Sequence, residues 1–438
     1  MRESFSQGGS SPRVAGDPAV EARKPAAAPL RPELVAAARA PGAGIRAGEA
    51  ATPRPYWLFA THLWTVFGIA LSNILLGLSI LSAPLAGRSG RAVAGLRGAW
   101  PVLAATGAYL LFLLVSVSAS LDPERSTRAL TEFFNLAVIP LALWLVRSER
   151  DARRIVDGLV LLGGCLGVYG VAQFFLGYDH LHQRIPGPFS HYMTFSGVLL
   201  LADLLLVAQL VASAPRRRGW SGAWRWGALA AINAALLCSY TRSAWVALVA
   251  ALTLLVLIRA PRWLLAYPVA AVVLALLAPA PMVDRMRSIT DLDDPSNRDR
   301  LSMAQAGLTM VADRPLVGLG PEMVRDLYPR YRVETAVRDR VPHLHNSFLH
   351  LAAERGLPEL ASYLALMGVA LAGAWRRFRR EGGFRGGRAD LYVGAALALV
   401  AFNVAGLFEH NWGDTEVQRL VLFLLALPWA LPEGAPEG

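Results

Sequence analysis

The chain has 438 residues, of which 54% are hydrophobic and 17% are charged, and its mean hydropathy is +0.39. Soluble domains carry about 25% charged residues, whereas the apolar residues of this chain are gathered into long runs. This composition excludes a soluble multidomain enzyme, a disordered scaffold and a small secreted domain built on disulfides, and it indicates a membrane protein with many spans. The net charge of +11 does not indicate nucleic-acid binding, because in a membrane protein the positions of the charges matter more than their sum.

The predicted elements are membrane-spanning helices that follow a polar tail. Residues 1–54 are rich in Ala, Pro, Gly and Arg without apolar periodicity, which predicts a disordered tail. A bilayer core of about 30 Å requires about 20 apolar residues per helix. The candidate spans are 57–83, 100–119, 129–146, 155–176, 193–213, 224–239, 242–258, 262–280, 348–374, 390–409 and 417–431.

The first of these stretches, 57–83, is either one span or a hairpin of two short helices. The hairpin is favoured, because it places both basic ends of the stretch in the cytoplasm. The chain is therefore predicted to be an all-α integral membrane protein with about 11–12 transmembrane helices.

Arginine-rich connections orient the helices. The connections at 147–154, 216–218, 259–262 and 376–388 are short and basic, and the positive-inside rule places them in the cytoplasm. The connections at 120–128, 177–192, 239–242, 281–345 and 409–416 then face the other side. The largest of them, 281–345, contains a predicted helix near 299–313. Loops of this length are usually functional. The predicted organisation is a tail (1–54), a helix bundle (55–280), the large outer loop (281–345), C-terminal helices (346–431) and a short tail (432–438).

Four segments of the outer side hold most of the polar residues. They are 183–194 (QRIPGPFSHYMT), 239–245 (SYTRSAW), the large loop with its continuation 342–360 (PHLHNSFLHLAAERGLPEL), and 409–417 (EHNWGDTEV). These segments are far apart in sequence but share one face in the predicted topology. We therefore expect them to form one site.

Three residues of these segments have properties suited to chemistry. Arg242 lies in a turn at the membrane surface, where an arginine is unfavourable unless it is paired or lines a wet cavity. It is either a snorkelling anchor or an anion-binding group, and Arg184 is a second arginine of the same face. His345 begins a helix at the interface, where a histidine is either a proton acceptor near neutral pH or a simple hydrogen-bonding group.

Two patterns resemble metal sites without matching one. The spacing of His343, His345 and His350 fits no standard zinc pattern. The letters DLDD at 291–294 resemble the D-x-D of metal-dependent glycosyltransferases, but they are also typical of a solvated turn or a helix cap. The sequence predicts no metal and no cofactor. Asp203, in the middle of its span, is either functional or buried against polar groups of neighbouring helices.

These motifs together resemble a known family. HNSFLHLAAERGLPEL and the preceding DRPLVGLGPE resemble the signature region of the O-antigen ligase and polymerase superfamily. SYTRSAW resembles the Thr/Ser-Arg turn of that family, and RIPGPFSH resembles its Arg-x-x-Gly-x-Phe segment. Their order, spacing and topology agree over about residues 100–430. One departure is Glu359, where the family often has Gly.

The resemblance implies an inverting, metal-independent glycosyltransferase of the bacterial inner membrane, with its active site facing the periplasm. Such enzymes move a glycan from undecaprenyl diphosphate to an acceptor hydroxyl. The resemblance implies that Arg184 and Arg242 hold the diphosphate and that His345 activates the acceptor. Further candidates for substrate contacts are Arg298, Arg314 and Asn346.

Three functions are open at this stage. The first is ligation of O-antigen to lipid A–core, and the second is a polymerase that extends another lipid-linked glycan; the two share the signature region. The third is a lipid-glycan flippase or other transporter. Transporters carry ionisable residues at the membrane midplane and often contain repeated halves, whereas the polar residues here gather on one face. The enzyme is therefore favoured, with lipids and glycans but no nucleic acid as partners.

Overall fold

The structure is a computed structural model that describes residues 53–87, 95–180, 183–212, 222–277, 280–334 and 336–431. The predicted tails, apart from residues 53 and 54, and the basic segment 216–218 lie outside the described residues. The described elements belong to one compact unit, Ala50–Gly438.

Helices make up almost all of the described secondary structure. The helices before the second polar segment are α1 (Pro55–Trp64), α2 (Ile69–Ser82), α3 (Trp100–Ser118), α4 (Pro123–Ser126), α5 (Glu132–Leu136), α6 (Val138–Leu145), α7 (Glu149–Phe175), α8 (Tyr192–Ala212) and α9 (Ala223–Cys238). Those that follow are α10 (Arg242–Arg259), α11 (Tyr267–Leu277), α12 (Ala280–Arg287), α13 (Pro295–Asp313), α14 (Val324–Tyr331), α15 (Ser347–Arg355), α16 (Leu357–Arg380), α17 (Ala389–Gly406) and α18 (Thr415–Ala430).

Short elements connect these helices. A two-residue antiparallel pair, β1 (Asp179–His180) and β2 (Gln183–Arg184), lies between α7 and α8. The 3-10 turns are Ala83–Ala86, Thr127–Thr131, Pro261–Ala266, Gly383–Arg385 and Asn411–Gly413.

Eight stretches of the described residues are long and apolar enough to cross a membrane. They are Ile69–Ala86, Trp100–Ser118, Pro123–Leu145, Glu149–Phe175, Tyr192–Ala212, Arg242–Arg259, Leu357–Arg380 and Ala389–Gly406. The predicted fold class, an all-α integral membrane protein, is confirmed.

The other predicted spans are shorter helices. Helices α9 and α18 have 16 residues each, and α11 has 11 residues after a 3-10 turn. Within 57–83 the chain forms two helices, α1 and α2, with a break at Thr65–Gly68. This break is what the predicted hairpin requires.

Helix α8 lies at the centre of the bundle and packs against α7, α9 and α17. Small residues allow the close approach: a Cβ on Gly163 of α7 would lie 2.5 Å from the Ala202 side chain, and one on Gly167 would lie 2.7 Å from the backbone of Ala231. Small residues at contacts between membrane helices let the backbones pack closely, and van der Waals contact then stabilises the pair. Asp203 of α8 accepts a hydrogen bond of 2.7 Å from Asn233 of α9, so it is a buried polar link between these helices.

The large loop has a small hydrophobic core of its own. Its buried residues come from α13, α14 and the segments beside them, and Ala353 of α15 closes the cluster. The predicted helix near 299–313 is present and begins earlier, at Pro295, with Asp294 as its N-cap. The cap accepts hydrogen bonds from the backbone N–H groups of Ser296 and Asn297, so this part of DLDD is a helix cap.

Glycines allow the loop segment around Gly318 to contact α15, so the two parts of the signature region lie against each other. Gly318 has φ +68°, and a Cβ there would lie 2.2 Å from the backbone oxygen of Glu354. The backbone N–H groups of Leu319 and Gly320 donate to the carbonyls of Ala353 and Glu354, at 2.9 and 2.8 Å. The glycines therefore allow the loop to lie directly on the backbone of α15.

Glu359 has a buried partner. Arg355 donates to Glu359 at 2.9 Å and to the Tyr109 hydroxyl at 2.7 Å, and it also pairs with Glu132. This network ties the junction of α15 and α16 to α3 and α5. The residue that departs from the family pattern is thus an acidic side chain paired with a buried arginine.

Candidate active site

A single cavity of about 430 Å³ is lined by residues of all four polar segments. The lining residues used below are Arg184, His191, Thr194, Arg242, Arg285, Asp299, Arg300, Arg338, His343, His345, Glu409 and Asp414. Five of the lining residues are arginines, and three are carboxylates. The cavity therefore brings together three residues predicted from sequence, Arg184, Arg242 and His345.

His345 is held by a carboxylate. Its Nδ1 atom lies 2.9 Å from Oε1 and 3.0 Å from Oε2 of Glu409. A carboxylate accepts hydrogen bonds, so in the neutral ring Nδ1 carries the proton and Nε2 keeps its lone pair. His345, two positions before α15, has φ +49°, and this left-handed conformation is uncommon for a residue with a side chain.

Glu409 is buried but charged. Burial raises the pKa of its carboxyl, but the hydrogen bond from His345 and the nearby His343 outweigh this effect and leave the pKa below its usual value. Only 4% of its side chain is exposed. Glu409 is therefore suited to orient His345 and to stabilise a proton on its ring.

Two further histidines lie beside this pair. Burial lowers the pKa of His343 to about 4, with neighbouring histidines adding to the effect and Glu409 opposing it. Burial also lowers the pKa of His191. The charges of His345 and Arg184 lower it further, and the charge of Glu409 raises it. Both rings are therefore neutral at pH 7, and the charges that act on His191 include those of both Glu409 and Arg184.

Arg242 is bound to the start of the large loop. Its Nη1 donates to the Ser288 carbonyl at 2.5 Å, and its Nη2 donates to Ser296 at 2.5 Å and to Asn297 at 2.8 Å. Asp294 lies 3.3 Å from the same Nη2. The residue is 7% exposed, which places it inside the wall of the cavity and not as an anchor at a lipid headgroup.

The other predicted arginine of the cavity, Arg184, is the last residue of β2, and the turn that leads to α8 follows it. Its guanidinium lies 4.5 Å from the centroid of the Tyr192 ring, which is a cation–π contact. This contact holds the guanidinium at the cavity.

Three arginines of the cavity were missed from the sequence: Arg285, Arg300 and Arg338. Burial lowers the pKa of Arg285 to about 10, and the charges of Arg242 and Arg184 add to this effect. Arg285 is still protonated at pH 7. The buried Nε atoms of Arg285 and Arg300 have no hydrogen-bond partner among the described residues, whereas Arg338 pairs with Asp299 at 3.1 Å. The arginine side of the cavity thus has N–H donors in excess.

The remaining predicted site residues lie outside the cavity lining. Arg298 is exposed on α13. Arg314 donates to the Ala119 carbonyl at 2.8 Å. Asn346 is the N-cap of α15, accepts from the Leu349 N–H and donates to the Leu407 carbonyl.

Arg300 and Glu409 could have been suspected from the sequence. Arg300 is two positions after Arg298 on the predicted helix, and side chains two positions apart on a helix point in nearly opposite directions. If one of these arginines faces the cavity, the other therefore does not. Glu409 begins the fourth polar segment, but nothing in the sequence pairs it with a histidine 64 positions earlier.

Asp414 is the third carboxylate that lines the cavity. Burial raises the pKa of its carboxyl to about 7, the hydrogen bond from Thr194 opposes the rise, and the charges of Glu409 and Glu416 add to it. The Thr194 hydroxyl lies 3.0 Å from Oδ2. The contact joins α8 to the start of α18 at the cavity.

A comparison with the curated proteins gave no match. The family model described as O-antigen ligase matches residues 226–364, about a third of the chain. The matched segment contains Arg242, the large loop and His345, whereas Arg184 and Glu409 lie outside it. Over these residues the chain is similar to the O-antigen ligase family, and the recognition of the O-antigen ligase and polymerase superfamily from its sequence is confirmed.

Proposed function

We propose that this chain is an inverting glycosyltransferase that moves a glycan from undecaprenyl diphosphate to a hydroxyl of lipid A–core. One observation carries the proposal. The same cavity has an oriented His–Glu pair on one side, and on the other side two arginine Nε–H groups, of Arg285 and Arg300, that have no hydrogen-bond partner among the described residues. Such a site is suited to a reaction that removes a proton at one point and releases an anion at another.

His345 acts on the acceptor. Its Nε2 lone pair takes the proton of the acceptor hydroxyl as the oxygen attacks the anomeric carbon. Glu409 keeps the ring in the tautomer that has this lone pair, and it stabilises the imidazolium that forms. General-base catalysis of this kind contributes roughly 10²–10⁴-fold to a rate.

The arginines act on the donor. As the new carbon–oxygen bond forms, the bond from the anomeric carbon to the phosphate oxygen breaks, and the diphosphate leaves with the electron pair. Guanidinium groups stabilise this charge through charge-assisted hydrogen bonds, often in pairs. The Nε–H groups of Arg285 and Arg300, which have no hydrogen-bond partner within the described ranges, are donors for this role. Arg184 and Arg242 line the same cavity. Attack from the side opposite the leaving group inverts the anomeric centre.

The location follows from the donor. A lipid diphosphate requires a site at the membrane surface, and α8 and α10 both begin at the cavity. The arginine-rich connections lie at the opposite ends of the helices in the predicted topology. We therefore place the protein in the bacterial inner membrane with the cavity facing the periplasm.

Reconstitution tests the proposal. The purified chain in liposomes receives undecaprenyl-diphosphate-linked glycan, with lipid A–core in one reaction and only further lipid-linked glycan in the other, both with chelator. We expect transfer to lipid A–core by the wild type and by the control Arg298→Ala, and loss of transfer in His345→Ala.

The other outcomes identify the alternatives. A ladder of longer lipid-linked chains would identify a polymerase. No transfer in either reaction, together with movement of the glycan lipid between leaflets, would overturn the enzyme and identify a transporter.

A further inference from the structure

We infer that His343, His345 and Glu409 form a binding site for a divalent transition-metal ion such as Zn²⁺, and that the bound ion inhibits transfer. The binding stands on the geometry of the three residues alone. The inhibition rests in addition on the proposed function of His345.

The distances suit a small ion. The ligand atoms of the three side chains all lie within 4.8 Å of one another. Oε1 of Glu409 is 2.9 Å from Nδ1 of His345 and 3.8 Å from Nδ1 of His343. Zinc–ligand bonds of about 2.0–2.1 Å in a tetrahedral site separate the ligand atoms by about 3.4 Å. One observed separation is shorter than this value and the other is longer, so small side-chain movements are sufficient to place all three ligand atoms at bonding distance from one ion.

The ligand types select the metal. Two imidazoles and one carboxylate are a set found in zinc sites that keep a fourth position open. Mg²⁺ and Ca²⁺ prefer oxygen ligands, so they are poor competitors here. Nδ1 of His343 is buried without a hydrogen-bond partner among the described residues, and a metal ion would supply that partner.

The local charge permits a cation although arginines line the same cavity. Glu409 is the anion closest to the two rings, and its side chain is almost completely buried. The strongest electrostatic influences on His343 come from Glu409 and from neighbouring histidines. Those on Arg285 come from other arginines and Asp294. The two sides of the cavity are therefore electrostatically distinct.

Inhibition follows from the tautomer. An ion on Nδ1 of His345 replaces the proton that Glu409 otherwise holds there. A neutral imidazole then carries its proton on Nε2, where it cannot accept another. The ion therefore removes the lone pair that the acceptor hydroxyl needs.

Metal binding is tested first, without turnover. The full chain in detergent, freed of metal with chelator, is titrated with Zn²⁺ by calorimetry, as wild type, His343→Ala, His343→Gln and the control His180→Ala. We expect one ion per chain in the wild type and the control. In both His343 variants the affinity falls at least about tenfold, because one of three ligands is lost. No binding by the wild type, or equal binding by folded His343 variants, would overturn the site.

Inhibition is tested in the transfer reaction. Each variant is titrated with Zn²⁺, and its rate is divided by its own rate with chelator. The half-inhibiting concentration should rise at least about tenfold in His343→Gln, and chelator should restore the wild-type rate. Zinc that binds without slowing transfer would overturn the inhibition. A wild type that transfers nothing in chelator contradicts the proposed function instead, and the calorimetric result still decides the metal site.

Discussion

Nδ1 of His345 lies 2.9 and 3.0 Å from the two carboxylate oxygens of Glu409. This contact joins the segment before α15 to the turn after α17. The pair resembles the base and its orienting carboxylate in nucleophilic hydrolases, where the carboxylate fixes the tautomer. The strained backbone of His345, with φ +49°, supports this reading, because strain of this kind persists where the surroundings hold a functional geometry.

The first prediction concerns this pair. His345→Ala should lower the transfer rate by about 10²–10⁴-fold, which is the range for loss of a general base. Glu409→Gln should lower it by at least about tenfold, since the amide can hold the wrong tautomer. Steady-state kinetics with lipid-linked donor measure both effects.

A double variant separates positioning from a merely structural role. Glu409 acts through His345, so Glu409→Gln should add little to the loss already caused by His345→Ala. In the single Glu409→Gln variant the acid limb of the pH–rate profile should also move to lower pH, because the carboxylate no longer stabilises the protonated ring. Additive losses with an unchanged profile would exclude the proposed role.

The second prediction concerns Arg242. Arg242→Lys keeps the charge but loses the set of bonds to Ser288, Ser296 and Asn297, because an ammonium group has a different geometry. We expect transfer to fall at least about tenfold, whereas Arg259→Lys, at the other end of α10, should leave it unchanged. Asp294→Asn keeps the helix-cap oxygen and the arginine, so it should retain more activity than Arg242→Lys. Equal losses in these two variants would show that Arg242 only anchors the loop.

The third prediction compares two neighbours on α13. Arg300 lines the cavity and Arg298 is exposed. Arg300→Ala should raise the KM for the donor about 10- to 100-fold, since a hydrogen bond to a charged group contributes about 1.5–3 kcal/mol. Arg298→Ala should change KM less than about twofold. The same effect in both variants would place the donor elsewhere.

The sequence predicts the membrane helices well because the bilayer imposes a length and an apolar composition on each span. It also predicts that four polar segments share one face, since alternating spans place every second connection on the same side. The ends of α9 and α18 agree with the predicted spans 224–239 and 417–431 to within two residues. The predicted span 348–374 agrees less well, because Gly356, with φ +85°, divides it into α15 and α16.

The site is only partly predictable for a geometric reason. Motif resemblance identifies Arg184, Arg242 and His345, but which loop arginine faces the cavity depends on the rotation of α13. The pairing of His345 with Glu409 and the position of Arg285 depend on how the loop and α17 pack. The sequence also suggests one residue too many: Asn346 is predicted to contact substrate, but its position beside His345 is explained by its role as the N-cap of α15.

The fourth prediction concerns pH and stability. The pKa of Asp414 is raised to about 7 from an ordinary value of 3.8, so the folded chain binds this proton more tightly than the unfolded chain. Its contribution to stability is complete below about pH 3.8 and is lost as the pH rises to 7. Asp414→Asn keeps an acceptor for Thr194 and does not ionise. Its melting temperature relative to wild type should therefore rise between pH 4 and pH 8; a constant difference would mean that Asp414 does not titrate in this range.

The fifth prediction concerns the attachment of the large loop. The Glu354 carboxylate accepts the backbone N–H groups of Glu322 and Val324, each at 3.0 Å. Glu354→Ala leaves both donors without a partner, and each charge-assisted bond contributes about 1.5–3 kcal/mol. We expect a clear fall in melting temperature in detergent and faster proteolysis within 281–345, with Glu334→Ala, an exposed glutamate of the same loop, as the matched control. If Glu354→Ala melts and is cleaved like the control, then the contacts of Gly318 and Gly320 and the hydrophobic cluster around Ala353 hold the loop on α15 without this carboxylate.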